Sequence, residues 1–272
     1  MGRIDELWRY DGRRAVVSGC ASGIGAEVAR QLTDLGAEVV GLDIREPDFD
    51  IGEFIALDLY DPESIDAAAA SIGGRVDALF NIAGVSSGIK DPLRVVTVNF
   101  LGTRRFAEAL VPSMPAGSAI ACVSSLAASA YRQNAAVTAG LVDTETMAEG
   151  IEWCERHPDA VAEGGGYRLS KEAIILYAMA NVVALGAKGI RINCTAPGVT
   201  DTPILDQLRS AYGQEFLDSF HTPLGRAATP DEQASVLVFL NSKAASYITG
   251  QVIWVDGGAI GETDLADWVS RR

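Results

Sequence analysis

The fold expected for this chain is decided by Arg14-Ala-Val-Val-Ser18 and by the segment that follows it, Gly19-Cys-Ala-Ser-Gly-Ile-Gly25. The first five residues read as a short buried strand, and Ile24, Val28 and Leu32 then recur at helical spacing. Glycines between a strand and a helix let the backbone turn tightly and approach a pyrophosphate, whose charge the helix N-terminus favours. The spacing GxxxGxG therefore predicts a nucleotide-binding strand–turn–helix unit, although glycine is plentiful here and an ordinary turn is the alternative.

Strands and helices continue to alternate along the rest of the chain. Apolar segments predict further strands at 38–43, 54–58, 76–83, 119–124, 190–195 and 251–256, and helical spacing predicts helices at 62–72, 92–110, 167–185 and 230–240. Such alternation implies parallel pairing with right-handed crossovers. We therefore predict one doubly wound, Rossmann-type α/β domain over residues 1–272, with a seven-stranded parallel sheet and helices on both faces.

One segment interrupts this rhythm, at about residues 127–166. It is long for a single connection, and Val137, Leu141, Met147 and Cys154 fall near one helical face. We therefore expect a helical insertion directly before the helix that begins at Tyr167.

Composition excludes several classes of partner. The chain has 22 basic and 36 acidic side chains, a net charge of −14, which disfavours nucleic acid and anionic membranes. Its four cysteines are scattered and it has only two histidines, so we expect no metal site. The N-terminus is charged where a signal peptide needs an apolar stretch. These features predict a soluble, cytoplasmic protein.

Asp43 ends the second predicted strand, 24 residues after Gly19. A carboxylate at this position can accept hydrogen bonds from an adenosine ribose and repels a 2′-phosphate, which selects NAD over NADP. Arg45 complicates this prediction, because an inward-turned guanidinium could tolerate the phosphate. A solvated aspartate at a strand end is the alternative interpretation.

Tyr167 and Lys171 place a phenol and an ammonium one helical turn apart. An ordinary tyrosine has a pKa near 10 and is a poor base at neutral pH. A neighbouring lysine cation and an oxidised nicotinamide would favour the phenolate and lower this pKa. The pair therefore indicates a general base for removing an alcohol proton.

Taken in order, these residues resemble the short-chain dehydrogenase/reductase family, from Arg13 to about Gly258. Other motifs match the family in the same order, namely Asn81-Ile-Ala-Gly84, Asn99 within Val98–Gly102, Ser125 at the end of Val123-Ser-Ser125, Pro197-Gly198 with Thr202, and Asp256-Gly-Gly258.

The resemblance implies a role for each matching residue. Tyr167 would be the general acid/base and Lys171 would hold the nicotinamide ribose, while Asn99 would anchor a water in a proton relay. Ser125, in preference to Ser124, would join Tyr167 in binding the substrate oxygen. The cofactor would be NAD, held by Gly19, Ser22, Gly23, Ile24, Gly25, Asp43, Ile44, Asp58, Leu59, Asn81, Ala83, Gly84, Tyr167, Lys171, Pro197, Val199 and Thr202.

The distance from Ser125 to Tyr167, 167 − 125 = 42 residues, departs from the family's usual shorter spacing. In this the chain resembles bacterial 3α-hydroxysteroid dehydrogenase/carbonyl reductases and coniferyl-alcohol dehydrogenase-like proteins. This resemblance implies NAD-dependent interconversion of a secondary or aryl alcohol and its carbonyl on a bulky apolar ring substrate. The insertion would act as a lid or would block an assembly surface, and we expect a homodimer, with a tetramer as the alternative.

Two other functions remain possible at this point. Gly84-Val-Ser-Ser-Gly88 matches the GxSxG pattern of serine hydrolases, for which His157 or His221 would have to supply the base. A non-catalytic NAD-binding redox sensor could share the fold. Phe216 and Phe220 either form a wall of the substrate pocket or pack a loop.

Overall fold

A computed structural model describes residues 3–218 and 220–270, and its centre is one all-parallel sheet. The strands are β1 (Arg14–Ser18), β2 (Glu38–Asp43), β3 (Glu53–Ala56), β4 (Ala78–Asn81), β5 (Ala119–Val123), β6 (Arg191–Pro197) and β7 (Val252–Val255). Their order across the sheet is β3-β2-β1-β4-β5-β6-β7. The predicted seven-stranded parallel sheet is confirmed, although several predicted strands were too long at one end or both.

Helices lie between most consecutive strands, before β1 and after β7. They are α1 (Arg3–Trp8), α2 (Gly23–Asp34), α3 (Pro62–Ile72), α4 (Pro92–Val96), α5 (Thr103–Leu110), α6 (Ala135–Val142), α7 (Met147–Arg156), α8 (Pro158–Ala162), α9 (Tyr167–Ala180), α10 (Val182–Gly186), α11 (Pro203–Tyr212), α12 (Gln214–Asp218), α13 (Pro230–Asn241) and α14 (Ala259–Ser270). None of these helices is both long and apolar enough to cross a membrane.

The sheet has a packed core on each face. On one face, Leu32 of α2 and Leu237 of α13 lie fully buried in the same cluster. On the other face, Ile65 of α3, Phe106 of α5 and Leu169 of α9 belong to a larger cluster. The strand order changes direction between β1 and β4, and in such sheets a crevice opens there beside the carboxyl ends of the strands. The predicted site residues follow these same ends.

Two helices predicted as continuous are broken. Between α4 and α5 the chain forms a π-helix, Thr97–Gly102, and the hydroxyl of Thr103, the first residue of α5, donates to the carbonyl of Val98 within it. The second break follows α9, where the Asn181 side-chain amide donates to the Tyr177 carbonyl at 2.9 Å. The backbone amide of Asn181 donates to the same carbonyl at 3.1 Å, and this doubly bonded carbonyl lies in the last turn of α9, before α10 begins.

The predicted insertion is helical, but it contains three short helices, α6, α7 and α8. Leu141, Met147 and Trp153 lie buried in the main core, so the insertion is part of the globule. Arg104 of α5 anchors the turn between α6 and α7: its guanidinium donates to the carbonyls of Thr144 and Thr146 at 2.6 and 3.1 Å. Only 3% of Arg104 is exposed, so this anchor is internal.

Candidate active site

The glycine-rich turn between β1 and α2 requires its glycines. Gly19 and Gly23 have φ values of 80° and 57°, the left-handed region that glycine adopts without strain. A Cβ at Gly25 would overlap the carbonyl oxygen of Gly19, and one at Gly19 would lie 2.8 Å from the amide nitrogen of Ala83. The turn is therefore a backbone cradle that a side chain would fill.

A cavity of about 730 Å³ runs from this cradle along the carboxyl ends of the strands. It is lined by all but two of the residues predicted from the sequence, namely Gly19, Ser22, Gly23, Ile24, Gly25, Asp43, Ile44, Asp58, Leu59, Ala83, Gly84, Ser125, Tyr167, Lys171, Pro197, Val199 and Thr202. The two exceptions, Asn81 and Asn99, lie behind its wall and are 3% and 0% exposed.

Asp43 presents its carboxylate at the end of β2. One oxygen accepts from the amide of Ala21 at 3.1 Å and the other from the amide of Arg45 at 3.3 Å. These two bonds fix the carboxylate beside the glycine cradle. Arg45 also lines the cavity, so the complication foreseen from the sequence remains.

The residues present fit a dinucleotide. The backbone cradle suits a pyrophosphate, the fixed Asp43 carboxylate suits a ribose hydroxyl, and both border one continuous cavity. At the far end of this cavity lie Ser125, Tyr167 and Lys171.

Tyr167 is the first residue of α9, and Lys171 follows one turn later with its Nζ 5.6 Å from the centre of the phenol ring. The Lys171 ammonium is buried and donates to the Val123 carbonyl at 2.9 Å. Burial lowers the pKa of Lys171 to about 8, because the charged form loses its hydration.

The phenol of Tyr167 behaves differently from the expectation. Burial raises its pKa, because the phenolate is poorly solvated, and only a hydrogen bond with the Ser125 hydroxyl acts in the opposite direction. The lowering expected from the neighbouring Lys171 is therefore wrong for the protein residues alone. The contribution of an oxidised nicotinamide stays a prediction.

Of the two adjacent serines, both of which line the cavity, Ser125 is the one whose hydroxyl acts on the Tyr167 phenol. Its hydroxyl accepts from the amide of Ala127 at 3.2 Å and acts to lower the pKa of the Tyr167 phenol. The Ser124 hydroxyl instead donates to the Lys171 carbonyl at 2.7 Å and is 2% exposed. Ser124 therefore links the end of β5 to α9 through a hydrogen bond.

Asn99 lies in the π-helix and is fully buried. Its carbonyl oxygen accepts from the Val85 amide at 2.7 Å, and its side-chain amide donates to the Val85 carbonyl at 2.9 Å and to the Ser170 hydroxyl at 3.3 Å. The side chain thus joins the turn after β4 to α9, the helix that carries Tyr167 and Lys171. The predicted water relay through Asn99 stays a prediction.

The sequence reasoning missed several residues at the site. Tyr212 and Arg168 line the cavity, and Tyr212 stands next to Phe216, with ring centres 5.0 Å apart. Phe216 in turn meets Phe220 edge-on at 5.1 Å. Of the two interpretations of Phe216 and Phe220, the structure favours the pocket wall.

Glu172, also missed, is a fully buried carboxylate in the catalytic helix. It accepts from Arg168, from the side-chain amide of Asn134 and from the hydroxyl of Thr138. The i,i+4 spacing of Arg168 and Glu172 could have indicated their ion pair. The burial of Glu172 could not be predicted, because its partners in the insertion lie 38 and 34 residues away along the chain.

The hydrolase interpretation is not supported by the surroundings of Ser86. This serine is fully buried and its hydroxyl donates to the side-chain oxygen of Gln207 at 3.2 Å. His157 stacks on Trp153 with ring centres 4.1 Å apart, and His221 lies 3.4 Å from Glu262. Both histidines are thus engaged away from Ser86.

Comparison with known proteins decides the family. Residues 13–140 match the family described as short chain dehydrogenase, and residues 157–259 match the one described as enoyl-(acyl carrier protein) reductase. The chain is 35% identical to coniferyl-alcohol dehydrogenase of Pseudomonas sp. strain HR199 over 247 residues, 90% of this chain and 96% of the relative. The chain belongs to the short-chain dehydrogenase/reductase family.

Two other members of the family are similar over almost their whole length. The 3-alpha-hydroxysteroid dehydrogenase/carbonyl reductase of Comamonas testosteroni is 35% identical over 255 residues, 89% of this chain and 95% of that protein. The crystal structure of 3-alpha-hydroxysteroid dehydrogenase from Pseudomonas sp. B-0831 complexed with NADH has a TM-score of 0.80 at 31% identity, covering 92% of this chain and 98% of the other. This short-chain dehydrogenase/reductase is therefore an oxidoreductase that acts on alcohols or carbonyl compounds, and its family uses NAD(P).

Proposed function

We propose that the enzyme interconverts a secondary or aryl alcohol and its carbonyl with NAD(H), on a bulky apolar ring substrate such as a 3-hydroxysteroid or an aromatic alcohol. The observation that carries this proposal is the wall of Tyr212, Phe216 and Phe220 on the same cavity as Tyr167 and Ser125. Aromatic side chains offer large apolar faces on which rings stack. The names of the two 35% identical relatives support the same substrate class.

Each catalytic residue has a defined task in this proposal. A bound nicotinamide supplies or accepts the hydride. Tyr167 removes the hydroxyl proton during oxidation and returns it during reduction, while the Ser125 hydroxyl donates to the same oxygen and stabilises its developing charge. Lys171 binds the nicotinamide ribose, and Asn99 holds the turn after β4 in place behind the site.

The part of the cavity beside the glycine turn and Asp43, where the adenosine would bind, favours NAD as the cofactor. The Asp43 carboxylate is fixed by two backbone amides, so it can accept from a ribose hydroxyl and repel a 2′-phosphate. The remaining cofactor contacts are those of the predicted residues that line the cavity. The similar structure in complex with NADH supports this choice.

The proposal also includes a cytoplasmic location and no nucleic-acid or membrane partner. All four cysteines are free and buried, which is typical of proteins in reducing compartments. The net charge of −14 disfavours phosphate-rich partners.

Steady-state assays with a panel of ring alcohols and ketones test the proposal. The panel contains a 3-hydroxysteroid, coniferyl alcohol, cyclohexanol and their ketones or aldehydes, with ethanol as a control that lacks a ring, each with NAD(H) and with NADP(H). We expect turnover of ring substrates with NAD(H) and little with ethanol. Binding of NADH without turnover of any panel member would favour a redox sensor, and hydrolysis of a p-nitrophenyl ester without nucleotide would favour a hydrolase.

A further inference from the structure

Glu172 forms a buried polar cluster with Arg168, Asn134 and Thr138. Its side chain is 0% exposed and accepts three hydrogen bonds, at 2.8 Å from Arg168, 2.7 Å from Asn134 and 3.1 Å from Thr138. A carboxylate loses its hydration on burial, and this cost is offset only where donors and a counter-charge surround it. The position of Glu172 therefore depends on these partners, and theirs on it.

Arg168 connects this cluster to the cavity. Its guanidinium bridges two carboxylates, donating to Glu172 at 2.8 Å and to Glu163 at 2.8 Å. Glu163 is 70% exposed in its side chain, whereas Glu172 is buried, so Glu172 is the partner that fixes the guanidinium. Arg168 itself lines the cavity directly after Tyr167.

The same carboxylate connects the insertion to the catalytic helix. Asn134 precedes α6 and Thr138 lies within it, while Glu172 follows Lys171 in α9. At the other end of the insertion, Gly164 and Gly165 line the cavity beside Arg168. One buried group thus connects the insertion, the catalytic helix and the substrate end of the cavity.

We propose that Glu172 is a positioning residue that fixes the wall beside Tyr167 and so determines how well the cavity accepts bulky ring substrates. It touches neither substrate nor cofactor; it acts through Arg168 and through the insertion. This inference rests on the proposed function for its kinetic consequence, but the positioning itself is measured without turnover.

The test is Glu172→Gln, which keeps the size of the side chain and removes its charge. The KM of a 3-hydroxysteroid should rise by about fivefold or more, because residue 172 no longer fixes Arg168 in the cavity wall. The KM of the smaller cyclohexanol should change less than about twofold. The dissociation constant of NADH should stay within about twofold, since the nucleotide half of the cavity is unchanged. Hydrogen exchange should become faster in peptides covering 134–142 and 163–170.

Three further variants separate positioning from general stability. Glu163→Gln removes the exposed partner of the same arginine and should behave like the wild type. Ile72→Val trims a buried side chain of α3, away from the cavity, and should lower Tm without changing the ratio of the two KM values. If Glu172→Gln fails to fold, Arg168→Lys keeps the charge but cannot bridge two carboxylates in the same way, and it should raise the steroid KM in the same direction.

The outcomes are distinct. Positioning by Glu172 is overturned if Glu172→Gln lowers Tm like Ile72→Val but leaves both the KM ratio and the exchange of the two peptides unchanged. If the wild type turns over no ring alcohol with either cofactor, the proposed function fails instead. In that case, faster exchange in Glu172→Gln with unchanged exchange in Glu163→Gln still supports the positioning, and equal exchange in both overturns it.

Discussion

Tyr167 and Ser125 line the same cavity, and burial raises the pKa of the Tyr167 phenol. Replacing Tyr167 by Phe keeps the ring but removes the group that transfers the proton. We expect kcat to fall by about 10²-fold or more, with the dissociation constant of NADH within about threefold of the wild type. Stopped-flow turnover and fluorescence titration measure the two quantities. A smaller loss at saturating substrate would assign the proton transfer to another group.

Asp43 decides the choice of cofactor in our account. Asp43→Ala removes the carboxylate that repels a 2′-phosphate, so the preference in kcat/KM for NAD over NADP should fall by about tenfold or more. Glu46→Ala, which removes an exposed carboxylate that does not line the cavity, is the matched control and should leave the preference unchanged. Equal kcat/KM values with both cofactors in the wild type would contradict the assignment, and Arg45 would then be the residue to replace.

Lys171 should make the stability of the protein depend on pH. Its pKa is about 8 in the folded protein, below the ordinary value of 10.5, because the ammonium is buried. Between these values the unfolded chain binds the extra proton, so this residue's contribution to the free energy of unfolding rises with pH and is smallest below pH 8. From pH 7.5 to 9.5, the free energy of unfolding of the wild type should gain about 2 kcal/mol relative to Lys171→Met. Denaturant titrations of both proteins measure the difference, which would stay constant if Lys171 titrated as an ordinary lysine.

At the scale of the elements, the strand–turn–helix unit of β1 and α2 depends on the close approach of the Gly25 backbone to the carbonyl of Gly19. Gly25→Ala places a methyl group on the Gly19 carbonyl, so the cradle must distort. We expect NADH affinity to fall by about tenfold or more and Tm to fall as well. Gly261→Ala in α14 is the matched control, since a Cβ there meets nothing, and it should leave affinity unchanged and slightly favour the helix. Wild-type affinity in Gly25→Ala would show that the cradle does not hold the nucleotide.

The sequence predicted those elements whose pattern is local. The bounds of β1, β2 and α3 agree with the prediction, because apolar runs and the proline at the start of α3 mark them directly. The π-helix and the break at Asn181 were not predicted, because both arise from hydrogen bonds that helical spacing does not encode. The insertion was predicted as helical, but its division into α6, α7 and α8 depends on anchors such as Arg104, which lies on another element.

Among the residues of the candidate site, too, those in local motifs were predicted and those placed by long-range packing were not. Gly19, Asp43, Tyr167 and Lys171 follow motif spacing, and all four line one cavity. Phe216 and Phe220 were predicted as a pocket wall or as loop packing, and both line the cavity. The buried contacts of Glu172 with the insertion and the place of Tyr212 in the wall could not be predicted, because they follow from how distant segments pack. The spacing of a tyrosine and a lysine does not encode burial, so the desolvation that raises the pKa of Tyr167 in the protein alone could not be predicted.

At the scale of the whole molecule, we propose a homodimer. The insertion packs against α4, the π-helix and α9. We expect it to cover the surface through which the 92–110 and 167–185 segments would otherwise pair. A different surface is free to pair. Strand β7 lies at one edge of the sheet, and Leu265 and Val269 of α14, the helix that follows it, are 58% and 56% exposed. Light scattering should give about twice the chain mass of 28.7 kDa.

The variant Leu265→Glu tests which surface pairs. A charge on the exposed apolar side of α14 should weaken the dimer, whereas Val137→Glu, on an exposed position of the insertion, should not. A mass of four chains in the wild type would show that the insertion does not prevent tetramer formation. A monomer would contradict the proposed pairing altogether.

In the function proposed here, Tyr167 transfers the proton, with Ser125 and Lys171 beside it, in a cavity that holds a dinucleotide and a ring substrate. The most direct test is to mix the wild-type enzyme with NAD and a 3-hydroxysteroid or coniferyl alcohol and to follow the absorbance of NADH, with Tyr167→Phe measured in parallel. We predict steady NADH formation by the wild type and at least about a hundredfold slower formation by the variant, although the variant still binds NADH. Turnover at equal rates in the two proteins, or binding of NADH with no turnover of any ring alcohol or ketone, would contradict the account.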